Sequence, residues 1–190
     1  MLSQQHRLIL LKLARDSITS GIMTGQPLQL NLNDYPPELT EERATFVTLE
    51  INDKLRGCIG SLEARRSLAK DIAENSWAAA FNDPRFPAVS KSELETVDIH
   101  LSILSIPQSM QFSSERELIN QLRPRIDGLI LEEGGFRATF LPSVWESLEE
   151  PAYFLQHLKQ KAGLPTDYWS DNLRVYRYTT ESFGEDRNHD

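Results

Sequence analysis

"TFVTLEINDKLRGCIG", Thr45 to Gly60, decides the fold. Period two runs through both halves: Val47, Leu49 and Ile51 fall on one side of the first and Phe46, Thr48 and Glu50 on the other, while Leu55, Gly57 and Ile59 alternate with Arg56, Cys58 and Gly60 in the second. Only Asn52, Asp53 and Lys54 separate them, so the stretch is a β-hairpin. A two-residue turn at Asn52 and Asp53 would set Leu49 opposite Arg56 and Val47 opposite Cys58, mixing apolar and charged residues on one face. A three-residue turn pairs Ile51 with Leu55 and Val47 with Ile59 toward a core. It leaves Glu50 opposite Arg56 and Thr48 opposite Cys58 on the second face, and this is the register expected.

Outward from the hairpin, other segments supply helices to cover it. Leu8, Leu11, Ala14 and Ile18 recur at helical spacing from Ser3 to Ser20, with Gly21, Gly25 and Pro27 expected to end that helix. "NLNDYPPEL" is an ordered loop. Ser67 is placed to cap a helix running to Phe81, in which Ala69, Ala73, Trp77 and Phe81 form a stripe beside Leu68 and Ile72. "NDPRFPAV" breaks it, because Pro84 and Pro87 disfavour helical geometry at Asp83 and Phe86. Ser90 with Glu93 has capping-box spacing for a short helix at Lys91 to Leu94.

"VDIHLSILS" is a further strand with Ile99, Leu101 and Ile103 inward and Asp98, His100 and Ser102 outward. Ser114 and Glu117 open a helix that Pro124 closes, and "GLILEE" and "FRATFL" form a second hairpin around Gly134 and Gly135. Pro142 starts a helical turn through Trp145. Pro151 opens a helix that ends at Gly163, "LRVYRYTTESF" makes one last strand, and residues 184–190 form a polar tail. Helices and hairpins alternate without a strand, helix, strand rhythm. The class is therefore α+β, a mainly antiparallel sheet flanked by helices with a smaller lobe, in a single domain over residues 1–183.

The formal net charge of −8 opposes phosphate backbones, which argues against a nucleic-acid partner. Arg65, Arg66 and Lys70 are interspersed with Glu63, Asp71 and Glu74 and read as a solvated mixed-charge face. One cysteine excludes an internal disulfide and a thiolate zinc cluster, and suits the reducing cytoplasm. No segment has the length and apolarity of a membrane span.

The residues with chemical potential cluster in the second strand of the hairpin. A cysteine is a nucleophile as thiolate, a form that nearby cations favour. Arg56 lies two residues from Cys58 on the expected face, roughly 7 Å away at about 3.3 Å per residue, with Glu50 placed to take up much of its charge. The bland alternative is a small buried hydrophobe. Gly57 and Gly60 allow either a ligand or another backbone to approach closely. His100 becomes a candidate base only if its strand neighbours the hairpin. His157 is expected to be packed or partly buried in its helix, while His6 and His189 lie near the chain ends. No metal-ligand spacing, phosphate-cradling loop or dinucleotide fingerprint is present, so no cofactor or metal is expected.

Six segments in order, "LRGCIG", "AAAFNDPRFP", "DIHLSILS", "DGLIL", "FLP" and "FLQHLKQKAGLPTDYW", resemble the AMMECR family, also called AmmeMemoRadiSam system protein A in bacteria. The resemblance covers nearly the whole chain. It implies an α+β fold and a system in which a Memo-like protein and a radical S-adenosylmethionine protein carry the metal and cluster chemistry. It also places Arg56, Gly57, Cys58 and Gly60 at one hallmark and Asp83 and Arg85 at another, the first with Cys58 as catalytic candidate and the rest as binding candidates. Ser61 stands where threonine is common in the family, and Lys159 where many relatives have a second cysteine, which argues against a two-thiol mechanism. Two functions follow: a binding or adaptor module working through the Arg56–Cys58 groove, or an enzyme or group carrier with Cys58 as nucleophile or attachment point.

Overall fold

The computed structural model describes residues 1–185. In chain order its helices are α1 (Gln4–Thr24), α2 (Pro37–Thr40), α3 (Leu68–Phe81), α4 (Glu115–Gln121) and α5 (Pro151–Ala162). Its strands are β1 (Thr45–Ile51), β2 (Lys54–Gly60), β3 (Asp98–Leu104), β4 (Gln108–Ser109), β5 (Gly128–Glu133), β6 (Phe136–Phe140), β7 (Arg174–Tyr178) and β8 (Thr180–Gly184). The fold is α+β with two four-stranded antiparallel sheets, ordered β2-β1-β3-β8 and β4-β7-β5-β6. Two compact units result among the described residues, one of Met1–Leu104 with residues 181–185, the other of Ser105–Thr180.

In the first unit α1 and α3 cover one face of the sheet. Leu10, Ala14 and Ile18 of α1 and Ile72 and Ala73 of α3 share a core with Val47, Leu49, Ile99 and Leu101. Leu8, expected in the buried stripe, is exposed because the covered face is phased on Leu10, Ala14, Ser17 and Gly21. The helix also continues through Gly21, where a Cβ would stand 2.2 Å from the Phe81 ring; the stop is Gly25, in the left-handed region at φ 75°. The Ser90–Glu93 contact forms, but residues 91–96 are turns rather than a helix.

The hairpin corrects the expected register. Val47 does face Ile59 and Thr48 does face Cys58, but the turn has two residues, Asn52 and Asp53, both at positive φ. Such a turn matches strand twist and favours Asn and Asp. The mismatch that argued against it is absorbed by a bulge: Leu49 faces Gly57, Glu50 faces Leu55, and Arg56 is the extra residue between them. Leu55 is consequently exposed instead of facing the core.

The last run is two strands. β7 belongs to the second sheet, β8 pairs with β3 in the first, and Thr179 lies between them, bonded through its N–H to Ser105 Oγ. Of the polar tail expected at 184–190, Gly184 closes β8 and Glu185 donates its N–H to the Ile99 carbonyl, while residues 186–190 lie outside the described residues. The second unit packs α4 and α5 on its sheet around Trp145, which stacks on Phe154 at 3.7 Å and donates Nε1–H to the Asp127 carbonyl at 2.7 Å. Lys159 is fully buried there, its ammonium 2.7 Å from Glu115.

Candidate functional site

Gly57 fixes how closely α3 approaches β2. A Cβ at this position would lie 2.2 Å from the Ala79 carbonyl oxygen, a backbone atom that cannot step aside, so the glycine is required by packing. That approach delivers the chain leaving α3 to the outer side of β2. Pro84 keeps Asp83 out of helical geometry, and the Asp83 carboxylate turns back to accept the Arg85 N–H at 3.1 Å.

The result is a clasp on Cys58. Cys58 donates its backbone N–H to Asp83 Oδ2 at 2.9 Å, and Arg85 Nη2 donates to the Cys58 carbonyl at 3.4 Å. Arg85 closes the loop through Nε to Asp83 Oδ1 at 3.0 Å and Nη2 to Asp83 Oδ2 at 2.7 Å. The Asp83 side chain is 2% exposed and that of Arg85 54%. The Arg85 guanidinium, followed by the Cys58 and Arg85 amides, holds the Asp83 carboxyl well below the usual carboxylate range, and Asp83 in turn raises Arg85. β2 is an edge strand, so the clasp satisfies groups that a neighbouring strand would otherwise satisfy.

Arg56 does not pair with Glu50. The bulge turns it to Glu93, bonded through Nε at 2.8 Å and Nη2 at 3.2 Å, while its Nη1 is buried without a hydrogen-bond partner. Arg56, with help from the Ser90 amide, holds Glu93 down to about 2. Nothing in the local sequence marks Glu93 for this role; its capping-box spacing to Ser90 is the one legible sign that its carboxylate turns toward the chain.

Cys58 is half-buried on the face of the sheet opposite the helices, its Sγ 3.3 Å from Thr48 Oγ1. The same Thr48 lies opposite His100 on β3, so Cys58 and His100 flank it on either side, roughly 10 Å apart at two strand spacings. His100 leans away: its Nε2 is 3.5 Å from Glu50, and its ring covers Gly184 so closely that a Cβ there would meet Nδ1 at 2.4 Å. Gly60 is covered likewise by the Phe46 ring, at 2.4 Å from a Cβ position. His157 is exposed on α5 rather than packed, and His189 lies outside the described residues.

Elsewhere in this unit Arg65 pairs with Glu63 and Arg66 with Asp71, which is itself bonded to Thr45 and Asn75. Ser61, Glu63, Arg65, Arg66 and Asp71 line a shallow cleft of about 360 Å³ in which both guanidinium groups face carboxylates. Among the described residues no His, Cys, Asp and Glu cluster could hold a metal ion, and no helix is long and apolar enough to cross a membrane.

Comparisons with known proteins add a family. The AMMECR1 family model matches residues 11–183. A protein of Methanothermobacter thermautotrophicus is 36% identical over 191 residues, covering 97% of each chain, and one of Thermotoga maritima is 40% identical over 151 residues, covering 78% of this chain and 82% of its own. The crystal structure of an uncharacterized protein from Pyrococcus horikoshii superposes with a TM-score of 0.79 at 32% identity, covering 94% of this chain and 90% of the other.

Proposed function

The chain belongs to the AMMECR1 family, and from that premise we propose that it is a noncatalytic binding or adaptor component, presenting the Arg56–Cys58 edge and the polar sheet face beside it to a protein partner. The observation that carries this reading is how the charged groups of the two motifs are used. Asp83 and Arg85 are spent on each other and on the Cys58 peptide, and Arg56 on Glu93. The base candidate, His100, is turned to Glu50. A site so committed holds a shape well, and the hydrogen-bond partner of the sulfur is the Thr48 hydroxyl rather than an imidazole or carboxylate base. The partners the family resemblance implies are a Memo-like protein and a radical S-adenosylmethionine protein, in the cytoplasm.

One observation favours the second reading, a nucleophile or attachment point: Cys58 is partly accessible and contacts a hydroxyl that could relay its proton. Copurification separates the two. A complex with the Memo-like or radical S-adenosylmethionine partner that survives Cys58→Ser, is lost in Arg56→Ala and persists in Lys91→Ala supports the adaptor. Loss on Cys58→Ser, with rapid alkylation of Cys58 in the folded chain, overturns it in favour of thiol chemistry. Equal effects of Arg56→Ala and Lys91→Ala would move the contact away from this edge.

A further inference from the structure

β2 stands at the end of its sheet, and in its pairing with β1 the Cys58 N–H and C=O point outward, making Thr48 and Cys58 a non-hydrogen-bonded pair with close side chains. An outward N–H and C=O on one residue are what an added antiparallel strand uses. Both are taken by side chains: Asp83 stands where a strand's carbonyl would accept, and Arg85 where its N–H would donate. We propose that the Asp83–Arg85 clasp is an edge guard, occupying the positions through which β2 would otherwise pair, antiparallel and centred on Cys58, with β2 of a second copy of this chain.

The sequence of the strand identifies that occupant. Centred on Cys58, a two-fold pairing sets Arg56 against Gly60 of the second copy, Gly57 against Ile59, Leu55 against Ser61 and Lys54 against Leu62. Over Lys54–Leu62 no like charges meet, and like charges directly opposite are what destabilise a strand pair. The charges that would oppose an approaching strand sit on the guard itself. Arg85 is the accessible half, and its guanidinium also lies 5.5 Å over the Phe86 ring, an alternative resting place once it leaves the Cys58 carbonyl. The guard is separate from the adaptor reading, since it concerns copies of this chain and its test uses no partner protein.

The single cysteine is the reporter. In the proposed register the two Cys58 residues form a hydrogen-bonded pair with Cα atoms about 5.5 Å apart, inside the range a disulfide spans. Purified wild type and the Asp83→Ala/Arg85→Ala double variant are treated with diamide, which takes up the two thiol hydrogens as the S–S bond forms, and resolved without reductant. The double variant is expected to give about tenfold more linked dimer than wild type, a shift of about 1.4 kcal/mol. Under reducing conditions its mass by sedimentation should double relative to wild type, and Cys58→Ser in the same background should keep that mass while abolishing the link. A folded double variant with wild-type mass and wild-type linkage overturns the proposal. If circular dichroism shows the double variant unfolded, the single variants decide it, Asp83→Ala freeing the Cys58 N–H and Arg85→Ala its carbonyl: raised linkage in either supports the guard, and unchanged linkage in both, folded, refutes it.

Discussion

Gly57→Ala is the sharpest test of why the hallmark glycine is there. The added methyl would sit 2.2 Å from the Ala79 carbonyl oxygen and 3.1 Å from its carbon, and real Cβ atoms do not approach backbone that closely. Relief requires α3 to lift from β2, which drags on Asp83 at the end of the helix and so on the clasp. Overpacking of this kind costs about 1–3 kcal/mol, and because the obstructing atom is main chain the upper half, about 2–3 kcal/mol, is expected. For a chain of this size each kcal/mol lowers the melting temperature by about 2–4 °C, giving a fall of about 4–12 °C. The assay is thermal unfolding followed by far-ultraviolet circular dichroism, with Gly135→Ala as control, since nothing lies within 4 Å of a Cβ at that glycine. A Gly57→Ala protein melting within a degree or so of wild type would refute the packing argument and return the glycine to a role in admitting a ligand.

Three further outcomes are expected. Glu93, held down to about 2 from 4.5 by Arg56, adds stability that is fully present above the unfolded value and lost as pH falls from 4.5 toward 2; the melting-temperature gap between wild type and Glu93→Gln should therefore be widest above about pH 5 and close toward pH 3, and a gap constant with pH would contradict the assignment. Lys159→Met should be neutral or stabilising in urea titrations, whereas Glu115→Gln, which strands a buried ammonium, should cost about 2 kcal/mol, less than the about 3–5 of a fully buried pair because Glu115 is 33% exposed. Trp145→Ala removes a fully buried ring and its bond to Asp127 and should cost about 3–5 kcal/mol, visible as a lowered urea midpoint and lost near-ultraviolet signal.

What could be read from the sequence was whatever local geometry decides. Period two located β1, β2 and β3, Pro151 and Gly163 bounded α5, and Ser67 marked the start of α3, although its hydroxyl makes no cap bond. The hairpin register failed at one point for a definite reason. Face matching assumes an unbroken ladder, whereas Asn52 and Asp53 formed the tighter turn and the strand shed the misfit as a bulge at Arg56. That slip also hid the partner of Arg56, because Glu93 lies 37 positions away on a turn. Asp83 and Arg85 could be named as site candidates from the family resemblance, but their grip on Cys58 depends on how α3 lies across β2. The final strand was overextended because alternation continues through Thr179, and nothing in "YTTES" announces a change of sheet.

That change of sheet bears on how the molecule comes into being. β8, the fourth strand of the first sheet, is encoded some eighty residues after β3, the strand it pairs with. A ribosome therefore releases α1 through β3 while the outer edge of β3 still lacks its neighbour, and the second unit must emerge before the gap can be closed. During that interval β3 presents open backbone to the nascent environment, so completion of the first unit is timed by the arrival of Thr180–Gly184 rather than by its own first hundred residues.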